Sequence, residues 1–245
     1  MISDITPKIN ESFKLVRSSD GFYKGDKSIK VKKSFEFIIQ HLDCDLNNKK
    51  VLDIGCAGGD FLRYIKNNYK GAQLFGCDVD DTLLDHAKSN STDITFFKQD
   101  IRLKVAKKYK NKFDIIFMSG VHQIFDTLDY VTNLIDLSHD TTKIMIFGLF
   151  NPEDLDVLLR VKKSLSDKDE WEVGWNNFSK TTYRNYFKKM GYHVNLYDFF
   201  YKENLPKTSD LYRSYSINCN QEGPIIINGT QLIHNFSLMK IDNKL

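Results

Sequence analysis

The sequence predicts an α/β fold: a doubly wound, mostly parallel seven-stranded sheet with helices on both faces. Three observations carry this prediction. Strand-like apolar runs alternate with helical patterns through residues 51–150. The first run, Val51 to Ile54, passes directly into a turn with glycines at 55, 58 and 59. Acidic residues stand inside or just after the first three runs, at Asp53, Asp78 and Asp100. Alternation at this spacing is the pattern of parallel strands joined by crossover helices. Right-handed crossovers leave a ligand crevice at the carboxyl ends of the strands.

The elements follow in order. Val31, Phe35, Ile38, Ile39 and Leu42 repeat with helical period, which predicts an amphipathic helix over about 29–43. The run Val51-Leu52-Asp53-Ile54 suits a strand covered on both faces, and the glycines after it permit conformations that side chains forbid. Asp60 is then placed to cap a helix carrying Phe61, Leu62 and Ile65. Strands are predicted at 73–78, 93–99, 113–119 and 143–150, separated by helical patterns at 82–88 and around Val131, Leu134 and Ile135. Pro152 predicts the first turn of a helix with apolar positions Leu155, Leu158 and Leu159, and Ser179 the cap of another ending at Gly191. Two late strands, 193–200 and 231–241, flank a polar, aromatic segment from Tyr201 to Thr230. Insertions of that length on α/β scaffolds commonly shape a substrate site.

A chain of 245 residues can bury a full core, and one domain with insertions is the simplest reading. It divides into an N-terminal helical cap (1–50), a ligand-binding core (51–150) and a region of insertions and terminal strands (151–245). No apolar run approaches the roughly 18 to 20 residues of a membrane span. The N-terminus, MISDITPKINES, lacks the apolar core of a signal peptide, so the expected location is the cytoplasm. Cys44, Cys56, Cys77 and Cys219 form no CxxC pair and read as reduced thiols. The net charge of +3 gives little ground for a polyanionic partner. Lys104, Lys107, Lys108, Lys110 and Lys112 are a local exception, read first as a solvated face.

The acidic residues carry the chemistry. A carboxylate at the tip of the second strand, Asp78, is placed to accept hydrogen bonds from both hydroxyls of a ribose. Its alternative is to cap the following turn. Asp100, after the third strand, could hold an adenine amino group. With the glycine turn these outline an adenosine-containing cofactor. A dinucleotide site would need GxGxxG spacing, which is absent.

In these residues the sequence resembles the class I S-adenosylmethionine-dependent methyltransferases, whose fold is Rossmann-like. VLDIGCAGGDFL resembles their first motif, an acid followed by spaced glycines; FGCDVD, KQDI and FDIIFMSGVHQIFD are similar to the second, third and fourth, and KIMIFGLF to the fifth strand. The resemblance covers residues 51–150 well and the terminal strands loosely. It implies that Asp53 belongs to the cofactor motif and that Gly55, Cys56, Ala57 and Gly58 pass under the methionyl part of S-adenosylmethionine. Asp78 would bind the ribose, Val79 would line one face of the adenine, and Asp100 with Ile101 would hold the other end of the ring. Ser119, Gly120 and His122 would lie where cofactor meets substrate. Many relatives have GVLEH or GVLHH where this chain has Gly120-Val121-His122-Gln123-Ile124. His122 titrates in the range of a general base for an alcohol acceptor, and its alternative is a packing histidine beside the cofactor.

The fourth strand ends in Met118-Ser119-Gly120 without clustered carboxylates, so no metal is expected. Nor does it end in the N/D-P-P-Y/F/W motif typical of methyltransferases acting on base amino groups. Aromatics beside amides and arginine, at Trp175, Asn176, Arg213 and Tyr215, suit sugars or polar phosphorylated metabolites. Tyr23 is placed by position over the cofactor. The pattern also resembles small bacterial methyltransferases of surface polysaccharides, including those acting on sugar hydroxyls or capsular phosphoramidate groups. The expected activity is therefore O-methylation of a small polar or carbohydrate acceptor, with nucleic acid not expected as partner. RNA methylation and a non-catalytic cofactor-binding protein are the alternatives.

Overall fold

The computed structural model describes residues 31–161, 171–200, 215–218, 224–227, 232–233 and 235–243. Helix α1 (Lys33–Gln40) precedes an alternating series: β1 (Lys50–Ile54), α2 (Asp60–Asn68), β2 (Gln73–Asp78), α3 (Asp81–Asn90), β3 (Thr95–Lys98), β4 (Phe113–Ser119), α4 (Tyr130–Leu137) and β5 (Ser138–Gly148). Short strands β6 (Arg160–Val161) and β7 (Glu172–Val173) follow, then α5 (Lys180–Lys189), β8 (Tyr192–Phe199), β9 (Tyr215–Asn218), β10 (Pro224–Ile227), β11 (Leu232–Ile233) and β12 (Phe236–Asn243).

The main sheet has seven strands in the order β3-β2-β1-β4-β5-β12-β8. The first five run parallel, as the sequence predicts, and β12 pairs antiparallel with both β5 and β8. β1 sits between β2 and β4, so successive connections leave it in opposite directions. That reversal opens a crevice at the carboxyl ends of β1 and β4, where ligands bind in such sheets. Strands β9, β10 and β11 form a second, antiparallel sheet.

Strands buried on both faces explain the continuous apolar runs. Val51, Ile115, Phe117, Met145, Phe147 and Leu238 face one core with α1, α2 and α3; Leu52, Ile54, Ile116, Met118, Ile144, Ile146 and Met239 face the other with α4 and α5. Side-chain alternation along each strand distributes neighbours between the two cores. Among the described residues no helix is long and apolar enough to cross a membrane.

Three predicted elements differ. The segment after Pro152 is not a helix: Asn151 N–H donates to the Phe178 carbonyl at 2.9 Å, and Val157 pairs in both directions with Asn177 at 3.0 and 2.8 Å. Backbone groups that a helix would use internally are given to residues twenty or more positions away. The fifth strand starts earlier than predicted, at Ser138, because Thr142 Oγ1 donates to the Phe113 carbonyl at 2.6 Å and draws a polar stretch onto the sheet. The predicted strand 231–241 is divided between β11 and β12, which belong to different sheets.

Candidate functional site

The turn after β1 is stitched to the end of β2. Gly55 N–H and Cys56 N–H both donate to the Cys77 carbonyl, at 2.8 and 3.0 Å. Positive φ falls at Gly55 (71°), Ala57 (46°) and Gly59 (81°), so Ala57 and not Gly58 carries the middle left-handed position. Gly55 is dictated twice over, since a Cβ there would also lie 2.2 Å from Val121 Cγ2. Gly59 is the N-cap of α2, where Asp60 was expected; Asp60 is instead the first helical residue and pairs with Arg63. A left-handed cap leaves the first amide groups of α2 free of a side-chain acceptor.

Asp78 closes β2 with its carboxylate turned into this loop. Oδ2 accepts from Ala57 N at 2.9 Å; Oδ1 accepts from Val79 N at 2.7 Å and Asp80 N at 3.1 Å. The turn-capping alternative is what these contacts show, with the carboxylate standing at the carboxyl end of the strand. A carboxylate has about four acceptor positions, so ribose hydroxyls would take the remaining one and displace a backbone donor. The cap of α3 is Asp80, which accepts from Thr82 N at 2.8 Å and Leu83 N at 3.2 Å.

Asp53 lies inside β1 at 4% exposure. Burial, reinforced by the Asp78 carboxylate and opposed by Lys32, pushes its pKa up to about 8. Burial also raises Asp78, against the lowering effect of its three backbone donors. Burial thus disfavours the charged form of both acids, and a cation settling beside them would favour it. S-adenosylmethionine carries both a sulfonium and an ammonium, and so fits the charge that is missing.

The far end differs from expectation. Asp100 is engaged by Arg102, whose backbone N–H donates at 2.9 Å and whose Nε reaches both carboxylate oxygens at 3.1 Å. Burial alone would raise its pKa, but the Arg102 contacts outweigh it and hold the carboxyl below its usual value. An adenine amino group would have to share this carboxylate. Ile101 beside it is buried, with its carbonyl accepting from Asn133 Nδ2 at 2.8 Å, and Val79 is half-buried.

Ser119 ends β4 half-buried, and Gly120 (φ 71°) is exposed, with nothing within 4 Å of where a Cβ would stand. This is the open face next to the cradle. His122 turns away from it: the ring is 2% exposed, its Nε2 lies 3.0 Å from the Leu149 carbonyl, and it stacks on Phe150 at 4.6 Å between centroids. Burial, only partly offset by that carbonyl, lowers its pKa to about 4. The ring is therefore neutral at pH 7, which matches the packing alternative and makes it a weak base.

Asn176, expected as a substrate contact, is a structural staple. Its Oδ1 accepts from Leu159 N at 2.8 Å, and its Nδ2 donates to the Phe125 carbonyl at 2.8 Å and to Asp126 Oδ1 at 2.9 Å. Trp175 packs half-buried against the first core, and Tyr215 pairs with Ile227 across β9 and β10. Tyr23 and Arg213 lie outside the described residues. Sequence reasoning missed Val121 as the wall over Gly55, and also Gln123, Asn177 and the Arg160–Asp126 ion pair beside the same turn. These depend on contacts across long sequence separations, for which no local signal exists.

Comparison with known proteins agrees with this geometry. Residues 51–138 match the family model described as a methyltransferase domain. A viral protein named as a methyltransferase, 235L of Invertebrate iridescent virus 6, is 26% identical over 141 residues, covering 54% of this chain and 48% of that protein. The chain thus spans about half the length of the curated relative it matches. The fold is that of YcgJ from Bacillus subtilis (TM-score 0.57, 13% identity, covering 86% of this chain and 99% of that one). It is also that of an S-adenosylmethionine-dependent methyltransferase from Mesorhizobium loti (TM-score 0.54, 12% identity, covering 70% and 87%). Strand order and glycine cradle agree with the matched domain: residues 51–138 are similar to the methyltransferase domain family, and the fold is that seen in S-adenosylmethionine-dependent methyltransferases.

Proposed function

We propose that the protein transfers a methyl group from S-adenosylmethionine to an oxygen of a small polar or carbohydrate acceptor, such as a surface polysaccharide, a capsule component or its phosphoramidate groups. The observation that carries the cofactor half is the loop Gly55–Gly59, tied to Cys77 and Asp78 and lying against the buried acid Asp53. When bound, the cofactor supplies an activated methyl group on a sulfonium. The chain's part is to hold that group still, exclude water and align a nucleophile behind it. Asp78 would fix the ribose, and the backbone of the loop would pass under the methionyl end. Gly120, with its empty surroundings, would let the acceptor approach.

The acceptor half rests on the resemblance of WEVGWNNFS to surface-polysaccharide enzymes and on the aromatic residues Trp175 and Tyr215 in the segments outside the common core. In this reading the reaction runs in the cytoplasm without a metal and without a nucleic-acid partner. Three of the five clustered lysines support the last point. Lys110 pairs with Asp136 at 2.6 Å, and Lys108 and Lys112 lie over the Tyr109 ring at 4.8 and 5.3 Å.

The decisive test is Asp78→Ala with calorimetry of S-adenosylmethionine. Loss of charge-assisted hydrogen bonds should weaken binding by about 10- to 100-fold. Unchanged affinity would remove the ribose assignment. Transfer of labelled methyl from the cofactor into a cell extract tests the enzyme itself. A complete lack of transfer with intact cofactor binding would leave a cofactor-binding protein instead.

A further inference from the structure

The carboxylates that follow β2 and β3 are held in different ways. Among the described residues, the donors to Asp78 are the backbone amides of Ala57, Val79 and Asp80. Those groups belong to the turns and stay where the turns stay. Asp100 has one donor of that kind, Arg102 N–H to Oδ1 at 2.9 Å, and takes the others from a single side chain. Arg102 Nε reaches Oδ1 and Oδ2 at 3.1 Å each, and Nη2 donates to Oδ2 at 2.6 Å.

These four contacts fill the roughly four acceptor positions of a carboxylate, so any further donor must displace one of them. The exposures say which. The Arg102 side chain is 45% exposed, whereas that of Asp100 is 16% exposed. A guanidinium so placed can turn into water, and the pair it leaves is of the weak, solvent-screened kind. The backbone contact remains, because the Asp100 carbonyl is pinned by Leu103 N–H at 3.0 Å and Gln99 Nε2 at 2.7 Å. The same segment is tied to the tip of β2, since Gln99 N–H donates to the Asp78 carbonyl at 3.1 Å. A nucleoside with its hydroxyls at Asp78 would therefore bring its base towards Asp100, and would find Arg102 already there.

We infer that Arg102 is a built-in competitor for the adenine edge: in the empty site it fills the place of the base's 6-amino group on Asp100, and the cofactor binds by taking that carboxylate from it. This rests on the S-adenosylmethionine reading. The exchange is between side-chain donors only, with Arg102 N–H kept throughout. Arg102 thereby lowers the affinity for the cofactor and blunts the preference for a 6-amino purine, since a base without that group gains nothing by displacing the guanidinium. It is a specificity residue that no sequence motif marks.

The test is calorimetry of S-adenosylhomocysteine, and of its analogue with hydrogen in place of the 6-amino group, on the wild type and Arg102→Met. The variant should bind S-adenosylhomocysteine about two- to fivefold more tightly, the effect of one exposed pair removed. The analogue should bind both proteins equally. Added salt, which screens the exposed pair, should narrow the gap between wild type and variant for S-adenosylhomocysteine. Arg102→Gln serves if the first variant fails to fold. Unchanged affinity would overturn the competitor, as would an equal gain for the analogue. Weaker binding in the variant would also overturn it and make Arg102 a contact of the base. Failure of the wild type and both variants to bind S-adenosylhomocysteine would overturn the cofactor reading and this inference with it, whereas normal binding without the gain would overturn the competitor alone.

Discussion

Asp53 and Asp78 lie on neighbouring strands, and the cost of keeping both charged sets much of the site's behaviour. With its folded pKa near 8 and an unfolded value near 4, Asp53 holds a proton in the native state over a range where the unfolded chain has released it. Unfolding then releases a proton, so stability is fully present below about pH 4 and declines as pH rises towards 8. Asp53→Asn should remove this slope and be the more stable protein at pH 8, by about 2 to 5 kcal/mol, as read by urea denaturation at both pH values. A variant with the same slope as the wild type would show that Asp53 ionises freely. The same physics predicts proton release when a cation settles beside it, visible as a binding enthalpy that changes with buffer. Gly55 is the other sensitive position. Gly55→Ala forces a side chain into a left-handed backbone and into Val121, and should cost about 1 to 3 kcal/mol together with measurable cofactor affinity.

At the scale of elements, the strap after β5 and the start of α5 act together. Ser179 Oγ accepts from Thr182 N at 2.9 Å, while Asp156 in the strap accepts from Ser179 N at 2.7 Å and from Thr182 Oγ1 at 2.9 Å. Ser179→Ala should lower stability by about 1 kcal/mol, the usual worth of a cap, and a melting curve indistinguishable from the wild type would contradict it. That cap was legible because it is local: Ser179, three residues and an apolar pattern suffice. The strap was not. Leu155 and Leu158 have helical spacing but are 62% and 47% exposed, so no core rewards a helix there. The distant partners Asn177 and Phe178 take its backbone instead.

For the molecule as a whole, the cofactor should act as a structural element of the crevice. At 100 times its dissociation constant a ligand that binds only the folded state adds about 2.7 kcal/mol, which for a chain of this size is about 5 to 10 °C in Tm. Fluorimetry with S-adenosylhomocysteine should show that rise, and Asp78→Ala should lose most of it. The alternating core and Asp78 could be read from sequence because parallel strands and strand-tip carboxylates impose local patterns. The packing around the turn after β4 could not, since His122, Gln123, Gly148 and Asn176 meet only once β4, β5 and the strap are folded. Arg102 likewise captures Asp100 by side-chain reach, which spacing does not reveal.

The position of β12 has a consequence for how the protein is made. Among the described residues β8 pairs with β12 alone in this sheet, and β5 awaits β12 on its outer edge. As the chain leaves the ribosome, residues 50–148 can assemble five parallel strands, but β5 presents an open hydrogen-bonding edge until residues 236–243 emerge. During that interval of nearly ninety residues the nascent chain offers a template to any extended segment nearby. Its yield in the cell should therefore depend on chaperone supply and translation speed more than its final stability would indicate.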